Sequence, residues 1–343
     1  MTSLASSVVV CAYTLDRWDD LQAAVESAAT GAVKPMEILV IIDHNDQLLK
    51  VATAAFRAKS AEFGVGIRVL PNSRRQGLSG ARNTAIDVVR GEVVAFLDDD
   101  ARADRHWLRL LLEHYTDPVV LGVGGAARPV WPGGDAGRPA FLPAATAQAR
   151  GEFDWVVGCT YTGLPVRAAA VRNLMGCNMS FRRAVFEGVG GFSLDLGRIG
   201  RTPLGCEETE FCIRVKQFDP SARIVFEPAA VVRHRVTPDR MRWQYLVSRC
   251  WSEGLSKAAV SRVVGQDAAL ESERRYVTAV LPKALLRQTR AGLRGSGSGW
   301  TGAVAIVAAL ATTSAGYVRG RLGHRHPGLG DQVPTVAATA AAA

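Results

Sequence analysis

The feature that most constrains this chain is a hydrophobic period that switches repeatedly. Between Ser7 and Gly125 the short apolar runs SSVVVCAY, MEILVIID, GIRVL, GEVVAFLD and VVLGVGG alternate with longer amphipathic stretches. Each run is β-rich, nearly uncharged and short, as expected of strands buried on both faces of a parallel sheet. The intervening stretches, Trp18 to Ala29, Leu48 to Phe63, Gly80 to Val89 and Asp104 to Tyr115, carry helical spacing, and Asp104 is placed to open the last at its positive end. Strand and helix in alternation predict an α/β fold with a doubly wound, mostly parallel sheet flanked by helices. In such sheets ligands bind at the carboxyl ends of the strands.

Beyond this region, residues 128–150 are rich in Pro, Gly and Ala and read as an irregular connection. NLMGCNMSFRRAVFEGVGGF, CEETEFCIRVKQF and RIVFEPAAVVRH then predict a strand running into a helix, a second helix, and a strand finishing on a histidine. A helical tail follows from Met241. The tail also holds the charge: the net charge is +9, and nine basic residues with no acid lie between Glu273 and Asp331, so the rest of the chain is neutral. A nucleic-acid binder spreads its basic residues through the folded domain and brings a recognition motif, and neither is found, so an anionic membrane surface is the expected partner and nucleic acid is not. Trp300 to Val318 is 19 residues without a charge. A span needs about 20 apolar residues, but the abundance of Gly, Ser, Thr and Ala leaves a span, a packed hairpin and an interfacial helix all open. The Ala-rich end, 331–343, is expected to be disordered. Six scattered cysteines without a C-x-x-C pair read as reduced thiols, and the N-terminus lacks the basic and apolar regions of a signal peptide, so a cytoplasmic location is expected.

Three groups of residues point to chemistry. Asp98, Asp99 and Asp100 follow an apolar strand directly, and adjacent carboxylates need a cation to oppose them. Mg²⁺ or Mn²⁺ with a diphosphate would serve, and a solvated acidic turn is the alternative. Glu207, Glu208 and Glu210 begin a helix, where Glu207 and Glu210 share a face, Glu208 is turned about 100° away, and Arg214 can hold one of them. A carboxylate fixed at a helix start can act as a general base, or it can simply complement the helix dipole. His234 ends an apolar strand and can complete a metal site with Asp100 or be structural. In the loop NSRRQGLSGARN, Arg74, Arg75 and Arg82 can neutralise phosphate and its glycines can admit an anion to the backbone, or the loop is merely basic and solvated. The absent fingerprints decide as well. CAYT follows the first run where a dinucleotide-binding fold has G-x-G-x-x-G, and neither G-x-x-x-x-G-K-[ST] nor G-x-S-x-G occurs.

In order, VVVCAYTLDRWDDLQAAVES, EILVIIDHND, NSRRQGLSGARNTA, GEVVAFLDDDA, GCNMSFRR with GGF, EETEFCIRV and VVRH resemble the successive motifs of family-two glycosyltransferases. The resemblance spans Ser7 to His234. It implies a GT-A fold with a helical appendage, organised as a glycosyltransferase domain over 1–240 (a nucleotide-binding half, 1–127, and an acceptor half, 128–240) and a basic helical region over 241–330. It also implies an inverting, metal-dependent transfer from a nucleotide-diphosphate sugar, UDP-linked by expectation, to a lipid-linked or cell-envelope glycan at the inner face of the membrane. By position, Ala12, Tyr13 and Asp43 would hold the nucleobase, Arg82 would lie near the nucleotide, Asp98 would touch ribose, and Asp100 and His234 would hold Mn²⁺ or Mg²⁺. The catalytic base would be Glu208, with Glu207 as the other candidate, since the pair here is Glu-Glu where the family usually has Glu-Asp. The second strand likewise ends Asp43-His44-Asn45, not in the commoner D-D-G-S. Asn178 and Trp155 are candidate donor-sugar or acceptor contacts. Two other functions are weighed against this one: a sugar nucleotidyltransferase, which would want a Gly-rich loop where CAYT stands, and a non-catalytic membrane-surface scaffold.

Overall fold

The structure is a computed structural model, and it describes residues 4–146, 148–197 and 205–323. The first half alternates β1 (Ser6–Ala12), α1 (Trp18–Ala29), β2 (Glu37–Ile42), α2 (Asp46–Phe63), β3 (Gly66–Pro71), α3 (Leu78–Ile86), β4 (Val93–Asp98), β5 (Ala101–Ala103) and α4 (Trp107–Glu113). The second adds β6 (Val120–Val130), β7 (Ala169–Ala170), β8 (Asn178–Arg182), α5 (Arg183–Val189), α6 (Glu207–Phe218) and β9 (Arg223–Arg235). Four helices close the chain: α7 (Trp243–Val264), α8 (Gln266–Arg275), α9 (Leu281–Leu293) and α10 (Gly297–Leu322). The expected tail segment 331–343 lies outside the described residues.

The sheet runs β3-β2-β1-β4-β8-β6-β9-β5, with β7 on β9. Pairing is parallel from β3 to β4, as the alternating pattern predicts, whereas β8 runs antiparallel to both β4 and β6, so the sheet as a whole is mixed. Because successive strand residues face opposite sides, β1 divides its valines between two cores. Val8 and Val10 pack under α1, α2 and α4, and Val9 packs with Phe96, Phe181 and Phe211 under α3, α5 and α6. β3 is the exception to the expectation of fully buried strands: it is an edge strand, and only one neighbour covers it. A further correction concerns Asp104, which lies before α4 and binds the Arg233 Nε at 2.8 Å; no side chain caps that helix.

The C-terminal helices pack on the body. α10 lies along α7 and α9. Where it crosses α7 the two backbones nearly touch: a Cβ on Gly254 would sit 2.2 Å from the Thr313 carbonyl, and one on Gly316 would sit 2.4 Å from that of Trp251. Only glycine permits such an approach. α7, α9 and α10 share a core with the irregular segment after β6, in which Trp131, Phe153 and Val157 meet Leu246, Leu281 and Ile306.

Candidate active site

In-register parallel pairing sets Cys11 opposite both Ile41 and Asp98, so the carboxyl ends of β1, β2 and β4 form one rim. That rim opens on a cavity of about 340 Å³. Of the eleven site residues expected from the sequence, ten line it: Ala12, Tyr13, Asp43, Arg82, Asp98, Asp100, Trp155, Glu207, Glu208 and His234. Asn178 does not. It is fully buried on β8, where its amide donates to the carbonyls of Ala126 and Ala230 at 3.0 and 2.9 Å and its oxygen accepts from Trp107 Nε1 at 2.7 Å. Fully buried away from the cavity, with both amide hydrogens on strand carbonyls and its oxygen on α4, Asn178 is a structural rivet and not a substrate contact.

The unusual Asp43-His44-Asn45 turn is explained by its local bonds. Asn45 caps α2 by accepting from the Leu48 amide at 2.9 Å, and its own amide donates to the Tyr13 carbonyl at 3.0 Å, which ties the loops after β1 and β2 together. His44 takes a left-handed φ of 51°, and its Nδ1 lies 3.0 Å from Asp43 Oδ1. Asp43 also accepts from Asn72 Nδ2 at 2.6 Å and from the Gly77 amide at 3.0 Å. The glycine loop therefore gives one of its amides to Asp43. The other two loop arginines face outward: Arg74 pairs with Asp87, and Arg75 binds the Leu194 carbonyl, so neither lines the cavity as a phosphate ligand would.

Arg82, on α3, is 2% exposed and joins three elements. Its guanidinium reaches Glu207 Oε1 at 2.7 Å, the Gly176 carbonyl at 2.9 Å and Asp98 Oδ1 at 3.5 Å. Glu207 is thus held, and so is Glu210, whose carboxylate takes two bonds from Arg214 at 2.7 and 2.9 Å. Glu208 is turned away from both and faces the cavity. Burial, with the neighbouring Glu207, pushes its carboxyl up to about 8. Cys206, just before α6, holds a left-handed φ of 73° that starts the helix abruptly beside the cavity. Cys11 lines the same space as a neutral thiol, pushed up to about 12 by burial.

The acidic triplet is opposed by the protein's own cations, two of which sequence reasoning missed. Arg17 Nη1 lies 3.0 Å from Asp99 and 3.2 Å from Asp100, and Arg240 Nη2 lies 3.4 Å from Asp100. Antiparallel pairing of β5 with β9 sets Ala101 opposite His234, which brings His234 Nε2 to 3.2 Å from Asp100 Oδ1. Burial works against ionisation of Asp100, but His234, Arg240 and Arg17 overcome it and hold this carboxyl below its ordinary range. Burial likewise opposes a charge on His234, and Asp100 outweighs it, raising the imidazole to about 10. Asp99 is raised, by burial and by Asp100 beside it.

The same residues fit a divalent cation. One ligand atom each from Asp98, Asp100 and His234 falls within 4.8 Å of the others, and among the described residues the buried Asp99 Oδ2 has no hydrogen-bond partner. Two carboxylates and an imidazole suit Mn²⁺ or Mg²⁺ that completes its shell with water and phosphate oxygens.

Residues 7–190 match the family model described as Glycosyl transferase family 2. Over 263 residues the chain is 32% identical to the glucosyl-dolichyl phosphate glucuronosyltransferase of Haloferax volcanii, covering 76% of this chain and 78% of that one. It is 27% identical over 255 residues to the succinoglycan biosynthesis protein ExoM of Rhizobium meliloti, covering 74% of each. Among solved structures, the mannosyltransferase PcManGT from Pyrobaculum calidifontis, in complex with GDP-Man and Mn²⁺, superposes with a TM-score of 0.57 at 16% identity, over 93% of this chain and 88% of that one. The fold is that of the GT-A glycosyltransferases.

Proposed function

The chain belongs to glycosyl transferase family 2, and from that premise we propose that it moves a sugar, with inversion, from a nucleotide-diphosphate donor to a hydroxyl of a lipid-linked or cell-envelope glycan. The observation that carries this reading is one cavity lined by both a carboxylate–imidazole cluster and a second carboxylate, Glu208, whose pKa burial raises. Family membership takes the place of the nucleotidyltransferase and scaffold alternatives.

In the proposed mechanism Ala12, Tyr13 and Asp43 would hold the base, Asp98 would hold the ribose, and Asp98, Asp100 and His234 would hold Mn²⁺ or Mg²⁺. The ion, when bound, supplies charge neutralisation of the donor diphosphate. Arg82 fixes Glu207 and Asp98 in place and keeps a positive charge beneath the leaving group. Glu208 takes the proton of the acceptor hydroxyl, whose oxygen attacks the anomeric carbon on the face opposite the diphosphate as the bond from that carbon to the diphosphate oxygen breaks and the nucleoside diphosphate leaves with the electron pair. Glu208 replaces the family's usual Asp with one more methylene, and Glu207, engaged by Arg82, is the less suited of the pair. Trp155, which lines the cavity, is the candidate contact for the donor sugar or the acceptor.

A lipid-linked acceptor is supported by the geometry of α10. Leu310 lines the cavity and is also 38% exposed, at the border between the buried stripe of Ala303 and Ile306 and the exposed face that carries Trp300, Val304, Val307 and Val318. Among the described residues α10 is the one helix long and apolar enough to cross a membrane, yet its other face is packed tightly on α7 and α9. We read it as an interfacial helix which, together with the exposed Arg290, Arg294 and Arg319, seats the described part of the C-terminal region, 241–323, on the inner, anionic face of the membrane, with the glycosyltransferase domain above. The test is a panel of UDP- and GDP-sugars offered with and without Mn²⁺ to the wild type and to Asp100→Asn. The expected result is metal-dependent binding and turnover of one donor, lost in the variant. Turnover in the variant equal to that of the wild type would contradict the assignment of the site.

A further inference from the structure

Resting on the transferase reading, we propose that the part of the cavity walled by Trp155, Tyr276, Val277 and Leu281 is an apolar subsite that receives the hydrocarbon chain of the acceptor inside the protein, behind its reacting head. The cavity has walls of two kinds. One is polar and satisfied within itself: on α7, Lys257 Nζ lies 3.4 Å from Glu253 and 2.6 Å from Glu273 of α8, Arg249 reaches Glu253 at 2.9 Å, and Arg172 reaches Glu273 at 2.6 Å. The other is carbon. Phe153, Trp155, Tyr276, Val277, Leu281 and Ala309 line the cavity and belong to one hydrophobic cluster, built from the segment after β6, the junction of α8 with α9, and α10.

The junction is shaped for this. Tyr276–Val280 form a π-helix between α8 and α9. Its i→i+5 bonding sets Tyr276 and Leu281 one turn apart on a shared face, with Val277 beside them, where an α-helix would turn the first two away from each other. The Tyr276 hydroxyl donates to the Glu152 carbonyl at 2.6 Å, so the polar tip is satisfied and the ring is left as an apolar wall. Such walls recognise neither a diphosphate nor a sugar hydroxyl, and a hydrocarbon chain is the substrate part whose burial they favour. Contacts at each end give the subsite its direction. The Arg249 guanidinium lies over the Trp155 ring, 5.7 Å from its centre, and Arg249 feels the charge of Glu208, so the inner end adjoins the base. The short helical turn that carries Trp155 ends at Gly158, where a Cβ would sit 3.3 Å from the His234 ring, so the same turn abuts the metal cluster. At the outer end Leu310 lines the cavity and reaches the surface, three residues from the exposed Val307. An acceptor with its hydroxyl at Glu208 therefore has its chain led out toward the apolar face of α10.

The full chain, with Mn²⁺ and UDP present, is titrated calorimetrically with hexyl and octyl β-D-glucoside, each below its micelle concentration. Affinity is expected to rise more than about tenfold from hexyl to octyl, since each buried methylene adds about fourfold. The rise should persist in Val304→Glu with Val307→Glu, which alters only the outer face of α10. Val277→Lys should abolish it and Val277→Leu should keep it, with UDP affinity unchanged in both. If Val277→Lys does not fold, Leu310→Lys is read in its place. A wild type that binds UDP without the rise, or a folded Val277→Lys that retains it, overturns the proposal and leaves the transferase reading standing. The same holds if the rise is lost only in the Val304, Val307 variant, which would put the chain on the outer surface. A wild type that binds no nucleotide removes both.

Discussion

Replacing Glu208 by Gln separates the catalytic value of this carboxylate from its cost to the fold. An acid whose folded pKa lies above its unfolded value binds its proton more tightly when folded, so its ionised form weakens the fold. For Glu208, raised from 4.5 to about 8, the penalty is absent below pH 4.5, grows through neutrality and is complete above about pH 8. At pH 7 it amounts to about 3 kcal/mol, since each pH unit above the unfolded pKa adds about 1.4 kcal/mol. Glu208→Gln keeps the shape and removes the charge, so it is expected to melt a few degrees above the wild type at pH 7 to 8 and level with it near pH 4.5. Transfer should fall by about 10²- to 10⁴-fold, because no group is left to take the acceptor proton. Nucleotide affinity should not change. Wild-type turnover should rise with pH and level off above about 8, where Glu208 is ionised, and this profile should vanish in the variant. Initial rates and melting curves across pH measure all of this. A Glu208→Gln enzyme with more than a tenth of wild-type turnover, or one less stable than wild type at pH 8, would refute the reasoning.

Arg82→Met leaves Glu207 buried without its cation, and should cost about 3–5 kcal/mol in thermal or denaturant unfolding. Asn178→Leu strips partners from Trp107 Nε1 and from two buried carbonyls. It should lower stability by about 2–4 kcal/mol while the turnover of each folded molecule stays as it was, and a selective loss of turnover would return Asn178 to the substrate site. Val304→Glu with Val307→Glu puts charge on the exposed face of α10 and should reduce flotation with anionic liposomes several-fold, leaving nucleotide binding intact.

The first half of the molecule was legible because hydrophobic period alone dictates it: α1 spans the residues that its pattern marks, and β1, β2 and β4 sit where the valine and isoleucine runs lie. β3 carries the same pattern, yet its edge position depends on which strands neighbour it, and periodicity contains no such information. The acidic triplet announced itself as a place needing positive charge. That Arg17 and Arg240 provide it is a matter of tertiary arrangement, with Arg240 far along the chain. Asn178 misled because an amide beside a motif looks available, and only the three bonds it makes, two to strand carbonyls and one to Trp107 of α4, show that it is not. Arg249, Glu253 and Lys257 went unread for a related reason. Alternating charge at i, i+4 spacing is the pattern of a solvated helix face, and here the same spacing is turned inward against a cavity.

The central claim, a metal-assisted donor site at the carboxyl ends of β1, β2 and β4, is tested most directly by anomalous diffraction from crystals grown with Mn²⁺ and UDP or GDP. The account predicts a manganese peak within ligand distance of Asp98, Asp100 and His234, bridging to the nucleotide diphosphate, with the base beside Tyr13 and Asp43. Nucleotide bound elsewhere, or bound here with manganese away from all three residues, would contradict it.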